Sequence, residues 1–359
     1  MARNTIARID SGALAHNLER VRARAPASRV MAVVKADAYG HRLDLCLPAL
    51  ERADMLAVAT LEEARAVRRL GSGLPVLLLE GVNHPGDLSV ATDLGLELTV
   101  HHVSQVEALE RFGCSPAPRV WLKLDSGMHR LGVAGDDAPA VHARLLALNG
   151  VEQVNLMSHF ANADAVEDSL NARQVERFRR SVDGLAGEHC LANSAAILQH
   201  PESHSDWVRA GILLYGISPL AGVTGTELGL RPVMTLVSEL IAINRVPAGE
   251  VIGYGGRFRA ERDMLVGVAA IGYGDGYPRS VADGAPVQVN DRICALAGRV
   301  SMDMITIDLA AAPDARVGDP VVLWGGGVPV ETIADHAGTI PYELVCRITR
   351  RVRYRALTA

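Results

Sequence analysis

Val30-Met31-Ala32-Val33-Val34 is an apolar run that stops abruptly at Lys35-Ala36-Asp37-Ala38-Tyr39-Gly40. Five apolar residues, mostly β-branched, ending in a polar turn read as a strand buried on both faces. The pattern recurs down the chain. Met55–Ala59, Val76–Leu79, Leu96–Val100, Val120–Asp125, Val154–Ser158, His189–Ala192 and Gly211–Tyr215 are similar short runs, and helical stretches follow them. Two of those helices carry capping-box spacing at their start, Thr60 with Glu63 and Ser104 with Glu107. Eight strands alternating with helices predict a parallel sheet closed as a (β/α)8 TIM-like barrel, with an open doubly wound sheet as the alternative.

The pattern changes near Arg231. Val233–Val246, Met264–Ile271, Val287–Val289, Arg292–Ala297, Met304–Leu309 and Pro320–Trp324 read as strands separated by Gly and Pro turns. The expected organisation is an α/β barrel over 1–230 followed by a mainly-β C-terminal domain over 231–359, with no low-complexity linker between them. A length of 359 residues accommodates both. The net charge of −5 is mixed along the chain and no basic block stands out, which argues against nucleic acid as a partner. No run is apolar and long enough to span a bilayer, and the N-terminus lacks a signal-peptide pattern. Cys46, Cys114, Cys190, Cys294 and Cys346 are odd in number and scattered, so a reducing, cytoplasmic setting is expected, with neither disulfides nor structural zinc. His200 and His204 flank Glu202, but Pro201 spoils the helix that a metal pair would need, so no metal is expected.

Chemistry in such a barrel sits at the C-terminal ends of the strands. Lys35 ends the first strand between apolar walls that disfavour an ammonium and favour a nucleophilic amine, able to hold an aldehyde cofactor as a Schiff base. A lysine merely snorkelling to the rim is the competing reading. On the fifth strand, alternation puts Trp121, Lys123 and Asp125 on the inward face, and Arg130 follows in need of an anion; a structural ion cluster competes here. His159 ends the sixth strand. Ser194 opens a helix after the seventh, and Gly211 and Ile212 lie at the eighth, where this fold places its phosphate site. Gly272-Tyr273-Gly274-Asp275-Gly276 lacks dinucleotide-loop spacing, and it and Gly298–Met304 read by themselves as surface loops.

These segments together resemble the alanine racemases. The resemblance rests on Val-Val-Lys-Ala-Asp-Ala-Tyr-Gly-His at 33–41, Lys-Leu-Asp-Ser-Gly-Met-His-Arg at 123–130, Ser-His-Phe-Ala at 158–161, Asn-Ser-Ala at 193–195, Gly-Tyr-Gly-Asp-Gly at 272–276, Ser-Met-Asp at 301–303 and Pro-Tyr-Glu at 341–343. It implies a pyridoxal 5'-phosphate enzyme interconverting L- and D-alanine, in a homodimer whose active sites lie at the interface. It implies that the sheet of the β domain takes in the chain's first residues. By resemblance, Lys35 carries the cofactor and is one catalytic base, and Tyr273 from the partner chain is the other. Tyr39, Ser194, Gly211, Ile212 and Tyr342 match phosphate-binding positions. Arg209 matches the residue at the pyridine nitrogen, and His159 its neighbour. Arg130 and the partner's Met302 match substrate-carboxylate positions. Lys123 matches a lysine that is often carbamylated. Asp37, Arg42 and Ala210 depart from the common Asn, Gly and Pro. A broad-specificity amino-acid racemase, a related decarboxylase and a non-catalytic cofactor carrier are the alternatives. The decarboxylase would carry an acid where Arg209 stands, and the carrier would lack the β domain. The role that the resemblance implies is D-alanine supply for peptidoglycan or alanine catabolism.

Overall fold

The computed structural model describes residues 4–112 and 119–357; Cys114 lies outside them. The first strand, β1 (Ile6–Ile9), precedes the barrel. β2 (Arg29–Val33), β3 (Met55–Val58), β4 (Val76–Leu78), β5 (Leu96–Val100), β6 (Arg119–Lys123), β7 (Gln153–Met157), β8 (His189–Cys190) and β9 (Trp207–Ala210) form a closed parallel barrel, β9 pairing back onto β2. The open-sheet alternative is thereby excluded.

The second sheet is built from β10 (Met234–Val246), then, after the small hairpin of β11 (Val251–Ile252) and β12 (Phe258–Arg259), from β13 (Met264–Ala269), β14 (Pro286–Val289), β15 (Arg292–Leu296), β16 (Ile305–Asp308), β17 (Pro320–Trp324) and β18 (Arg353–Ala356). Its order is β13-β16-β15-β14-β17-β10-β1-β18, so β1 lies between β10 and β18. The 13-residue β10 also pairs with β13 and β17 and ties the sheet together.

The barrel interior is packed, not hollow. Met31, Val33, Met55, Ala57, Leu77, Trp121, Met157, Cys190 and Trp207 form its inner cluster. Trp121 and Trp207 meet edge to face at 5.9 Å, and their indole N–H groups donate to Glu97 (2.6 Å) and Glu188 (2.7 Å). Both large side chains thus satisfy their one polar atom while filling the space beneath the C-terminal mouth.

Two sequence expectations need correction. The eighth strand is Trp207–Ala210, and Ile212–Tyr215 forms a 3-10 turn instead. The run Gly211–Tyr215 is apolar because the turn is buried, which composition alone cannot distinguish from a strand. The box at Ser104 does not form either. That helix starts at Val103, and the Nδ1 of His102 accepts from the Ser104 N–H (3.2 Å). The box at Thr60 and Glu63 is present. Two short helices, Val330–Ala337 and Pro341–Cys346, lie between β17 and β18 without having been anticipated, and the second carries Tyr342.

Candidate active site

β2 does not run into an ordinary helix. Ala36, Asp37, Ala38 and Tyr39 take φ between 52° and 55°, one left-handed turn directly after Lys35. For L-residues this conformation costs roughly 1–2 kcal/mol each, so the surroundings must hold it. Glu63 does so from the helix that follows β3, Leu61–Arg69. One of its oxygens accepts from the Ala36 N–H (2.7 Å), the other from those of Ala59 (2.8 Å) and Thr60 (3.3 Å). Asp37 accepts from the Leu43 N–H (2.8 Å) and lies 3.7 Å from Arg42, so two of the departures from the family pattern face each other. From inside, the buried His41 donates its Nδ1–H to the carbonyl oxygens of Tyr39 (2.8 Å) and Ala38 (3.1 Å). Burial drives the His41 pKa down to about 4, so the ring stays neutral. It stacks on Tyr215 (4.6 Å), which stacks on Tyr39 (5.0 Å). The turn thus presents Lys35 and Tyr39 from a fixed backbone.

Both residues line one cavity of about 840 Å³ at the C-terminal mouth of the barrel, with Lys123, Arg130, His159, Ser194, Arg209, Gly211, Ile212 and Tyr342. Ten of the sequence-derived site residues therefore converge. Tyr273 and Met302 do not line it. They lie beside each other on exposed loops of the second sheet, where the Tyr273 N–H donates to Ser301 O (3.0 Å) and that of Gly274 to Met302 O (2.9 Å).

Four basic residues, Lys35, Lys123, Arg130 and Arg209, line the cavity with two carboxylates, Glu80 and Asp164. Among the described residues no carboxylate forms an ion pair with Lys35, Lys123, Arg130 or Arg209. Asp125 is not their partner, contrary to the inward-facing group expected from strand alternation. It accepts from the N–H groups of Gly127 (2.9 Å), Met128 (3.1 Å) and His129 (3.1 Å), capping the loop that leads to Arg130. It lies one residue beyond the end of a bridge to Val133, where the strand's alternation no longer holds. Arg130 is exposed at the cavity rim. Burial, then the charges of Arg209, Arg130 and Lys35, lower the Lys123 pKa to about 7.

Arg209 is buried on β9 and donates to Ser158 O (3.1 Å), to the Cys190 Sγ (3.2 Å) and to the His159 Nδ1 (2.8 Å). A guanidinium only donates, so this Nδ1 must be unprotonated. Burial and the adjacent Arg209 hold the His159 pKa well below its usual range, in agreement.

Opposite, Ser194 Oγ accepts from the Gly211 N–H (2.9 Å), and Asn193 caps the Ser194 helix by accepting from the Ala196 N–H (3.0 Å). A Cβ on Gly211 would stand 2.7 Å from the Tyr39 hydroxyl, so only glycine lets that hydroxyl close on the backbone. Burial raises the pKa of Tyr39 to about 12 and raises that of Tyr342 as well, so both hydroxyls stay protonated donors. Hydroxyls and the N–H groups opening a 3-10 turn suit a phosphate, which needs donors more than counter-charges.

A closed barrel with a cationic mouth, a donor cradle and a lysine at the end of its first strand defines an enzyme built around an anionic ligand. Residues 9–219 match the alanine racemase N-terminal domain, and residues 233–356 the alanine racemase C-terminal domain. The chain is 48% identical to an alanine racemase of Vibrio parahaemolyticus, covering 96% of each chain. It superposes on the biosynthetic alanine racemase of Pseudomonas aeruginosa with a TM-score of 0.96 and 45% identity, over the whole of both chains. The alanine racemase of Bartonella henselae, crystallised with covalently bound pyridoxal phosphate, matches at a TM-score of 0.88 and 26% identity, over 99% of this chain and 100% of that one. The chain belongs to the alanine racemase family and is an isomerase that interconverts the enantiomers of alanine.

Proposed function

We propose that the racemisation is pyridoxal-phosphate-dependent and uses two bases, Lys35 and the partner subunit's Tyr273, in a homodimer that shares its active sites. The observation that carries this reading is the division of the site. Three further basic residues and the donor cradle line one cavity with Lys35, while Tyr273 and Met302 are displayed together outside it.

The residues fit the cofactor. Lys35 would hold its aldehyde. Tyr39, Ser194, Tyr342 and the backbone at Gly211 and Ile212 would hold its phosphate, in a cradle that a Cβ at 211 would fill. Bound there, the cofactor supplies the electron sink that makes the substrate Cα–H bond ionisable. Arg209 would donate hydrogen bonds at the ring nitrogen without giving up its own proton, since a guanidinium is not deprotonated in proteins. That leaves the ring less electron-demanding than an acid partner would, and favours return of the proton to Cα over transamination. His159, held neutral by burial and by Arg209, accompanies it. Arg130 at the rim would take the substrate carboxylate, with the partner's Met302 against it. Lys123, near neutrality, can take up carbon dioxide as a carbamate and give Arg130 its anion.

Lys35 would remove the proton from D-alanine and Tyr273 from L-alanine, on opposite faces of Cα. A free tyrosine has a pKa of about 10, so a tyrosine base needs cationic or hydrogen-bonding help near neutrality. On either side of the division at residue 231, the barrel would hold most of the cofactor, while the second part would supply Tyr342 to the phosphate and, across the dimer, Tyr273 as the second base. The product would serve peptidoglycan synthesis in the cytoplasm, in keeping with the biosynthetic designation of the Pseudomonas aeruginosa enzyme. Borohydride reduction of the loaded enzyme, followed by peptide mapping, tests the cofactor assignment. The label is expected on Lys35 alone, and a label on Lys123 or elsewhere overturns the assignment.

A further inference from the structure

Tyr273 is 39% exposed, and among the described residues none holds its hydroxyl. Its position is therefore set by the backbone from which it hangs. That backbone is built against the loop carrying Met302 so closely that a Cβ on Gly272 would collide with the carbonyls of Ser301 and Met302. Contact of this kind fixes the spacing of the two loops but leaves their joint orientation free.

Arg351 supplies the orientation. Its Nε lies 3.2 Å from Asp275 Oδ1, and its Nη2 donates to Asp303 Oδ1 at 2.6 Å. Asp275 is only 1% exposed, and its other oxygen accepts from the Gly272 N–H (2.9 Å). Two residues before Arg351, Thr349 donates its hydroxyl to Gly274 O (2.9 Å) and its N–H to Asp275 O (3.1 Å). A Cβ on Gly274 would overlap the Arg351 guanidinium, so the fork lies directly on the loop that bears Tyr273.

We propose that Arg351 is a positioning residue that orients Tyr273 and Met302 as one unit. A planar fork can engage two carboxylates at once, whereas a lysine ammonium is a point charge that favours one. The Arg351 side chain is 42% exposed and that of Asp303 48%, so this pair contributes little to global stability, whereas the pair with the buried Asp275 contributes more. What Arg351 contributes to the rate lies in where the base is held, and displacement of a reacting group by about 1 Å costs roughly 100-fold in rate.

The inference rests on Tyr273 being the base on the L-alanine side, and the test keeps the two apart. Arg351→Ala, Arg351→Lys, Tyr273→Phe and the double variant are compared as loaded enzymes. Arg351→Ala is expected to lose about 100-fold in kcat, with cofactor absorbance close to wild type and some loss of Tm, and Arg351→Lys, which keeps a cation beside Asp275, to fall between. In Arg351→Ala the primary isotope effect should rise with α-deuterated L-alanine and not with α-deuterated D-alanine, because only the step taken by Tyr273 is slowed. Adding Arg351→Ala to Tyr273→Phe should cost little more. If Tyr273→Phe retains the wild-type rate, the reading of Tyr273 fails, and this inference with it. If Tyr273→Phe is slow but Arg351→Ala is as fast as wild type, or shifts both isotope effects alike, or adds its full loss to the double variant, the positioning role alone is overturned. Should Arg351→Ala fail to fold, Arg351→Lys carries the same isotope-effect comparison. An unchanged profile there contradicts the proposal.

Discussion

Replacing Lys123 with methionine should stabilise the cofactor-free protein, and most strongly at low pH. The lysine is buried among Arg209, Arg130 and Lys35, and its pKa falls from 10.5 to about 7. The native state thus binds the proton less tightly than the unfolded chain does. Below pH 7 both states hold it, and the native state bears the full cost of the buried charge. Between pH 7 and 10.5 only the unfolded chain holds it, so stability climbs with pH across that window. A depression of this size corresponds to roughly 5 kcal/mol. Lys123→Met removes the charge at similar length, so a gain of roughly 3–5 kcal/mol is expected at pH 6, fading towards pH 10. Denaturant melts of wild type and variant at pH 6, 8 and 10 measure it. The same lowered pKa leaves about half the amines neutral at pH 7, against well under 1% for an ordinary lysine, and only the neutral amine takes up carbon dioxide. Wild type in ¹³C-bicarbonate should therefore show one carbamate carbon per chain that Lys123→Met lacks. A variant less stable than wild type at pH 6, together with no carbamate signal, would refute the reasoning.

Gly211→Ala places a methyl group 2.7 Å from the Tyr39 hydroxyl and displaces it from the cradle; cofactor affinity by equilibrium titration should fall about tenfold, equivalent to roughly 1.4 kcal/mol, with the fold intact by circular dichroism. Arg209→Glu removes the donor to Ser158, Cys190 and His159 and supplies an acid in its place. Racemisation should drop by about 100-fold or more, while pyruvate release from alanine, followed by coupled dehydrogenase assay, should rise above wild type.

The barrel was legible because its strands are short apolar runs that end in polar turns, and such runs need no tertiary information to be seen. Gly211–Tyr215 misled for the same reason: a buried 3-10 turn and a buried strand are equally apolar, and the true strand Trp207–Ala210 is interrupted by the inward Arg209. Lys35 and Lys123 announce themselves as charges at strand ends. Asp125 does not, because a carboxylate capping three backbone N–H groups and one facing a cation read identically in sequence. Glu63 was visible as half of a capping box, but its second bond, to the left-handed turn at Ala36, depends on how the first two barrel strands pair. Tyr273 and Met302 were reached only by resemblance. Nothing local distinguishes their loops from other glycine-rich turns, and their significance lies in contacts between segments far apart in the chain. Arg351 gave no signal at all among its neighbouring arginines.

The central claim is that each active site takes Lys35 from one chain and Tyr273 from the other. Lys35→Ala and Tyr273→Phe, each inactive alone, are refolded together and mixed dimers are verified by mass. In a two-fold dimer a mixed pair has one site bearing both lesions and one bearing neither. With random pairing half the dimers are mixed, so activity should return to about a quarter of wild type per site. If both bases came from one chain, every site would keep a lesion, and mixed dimers without activity would contradict the account.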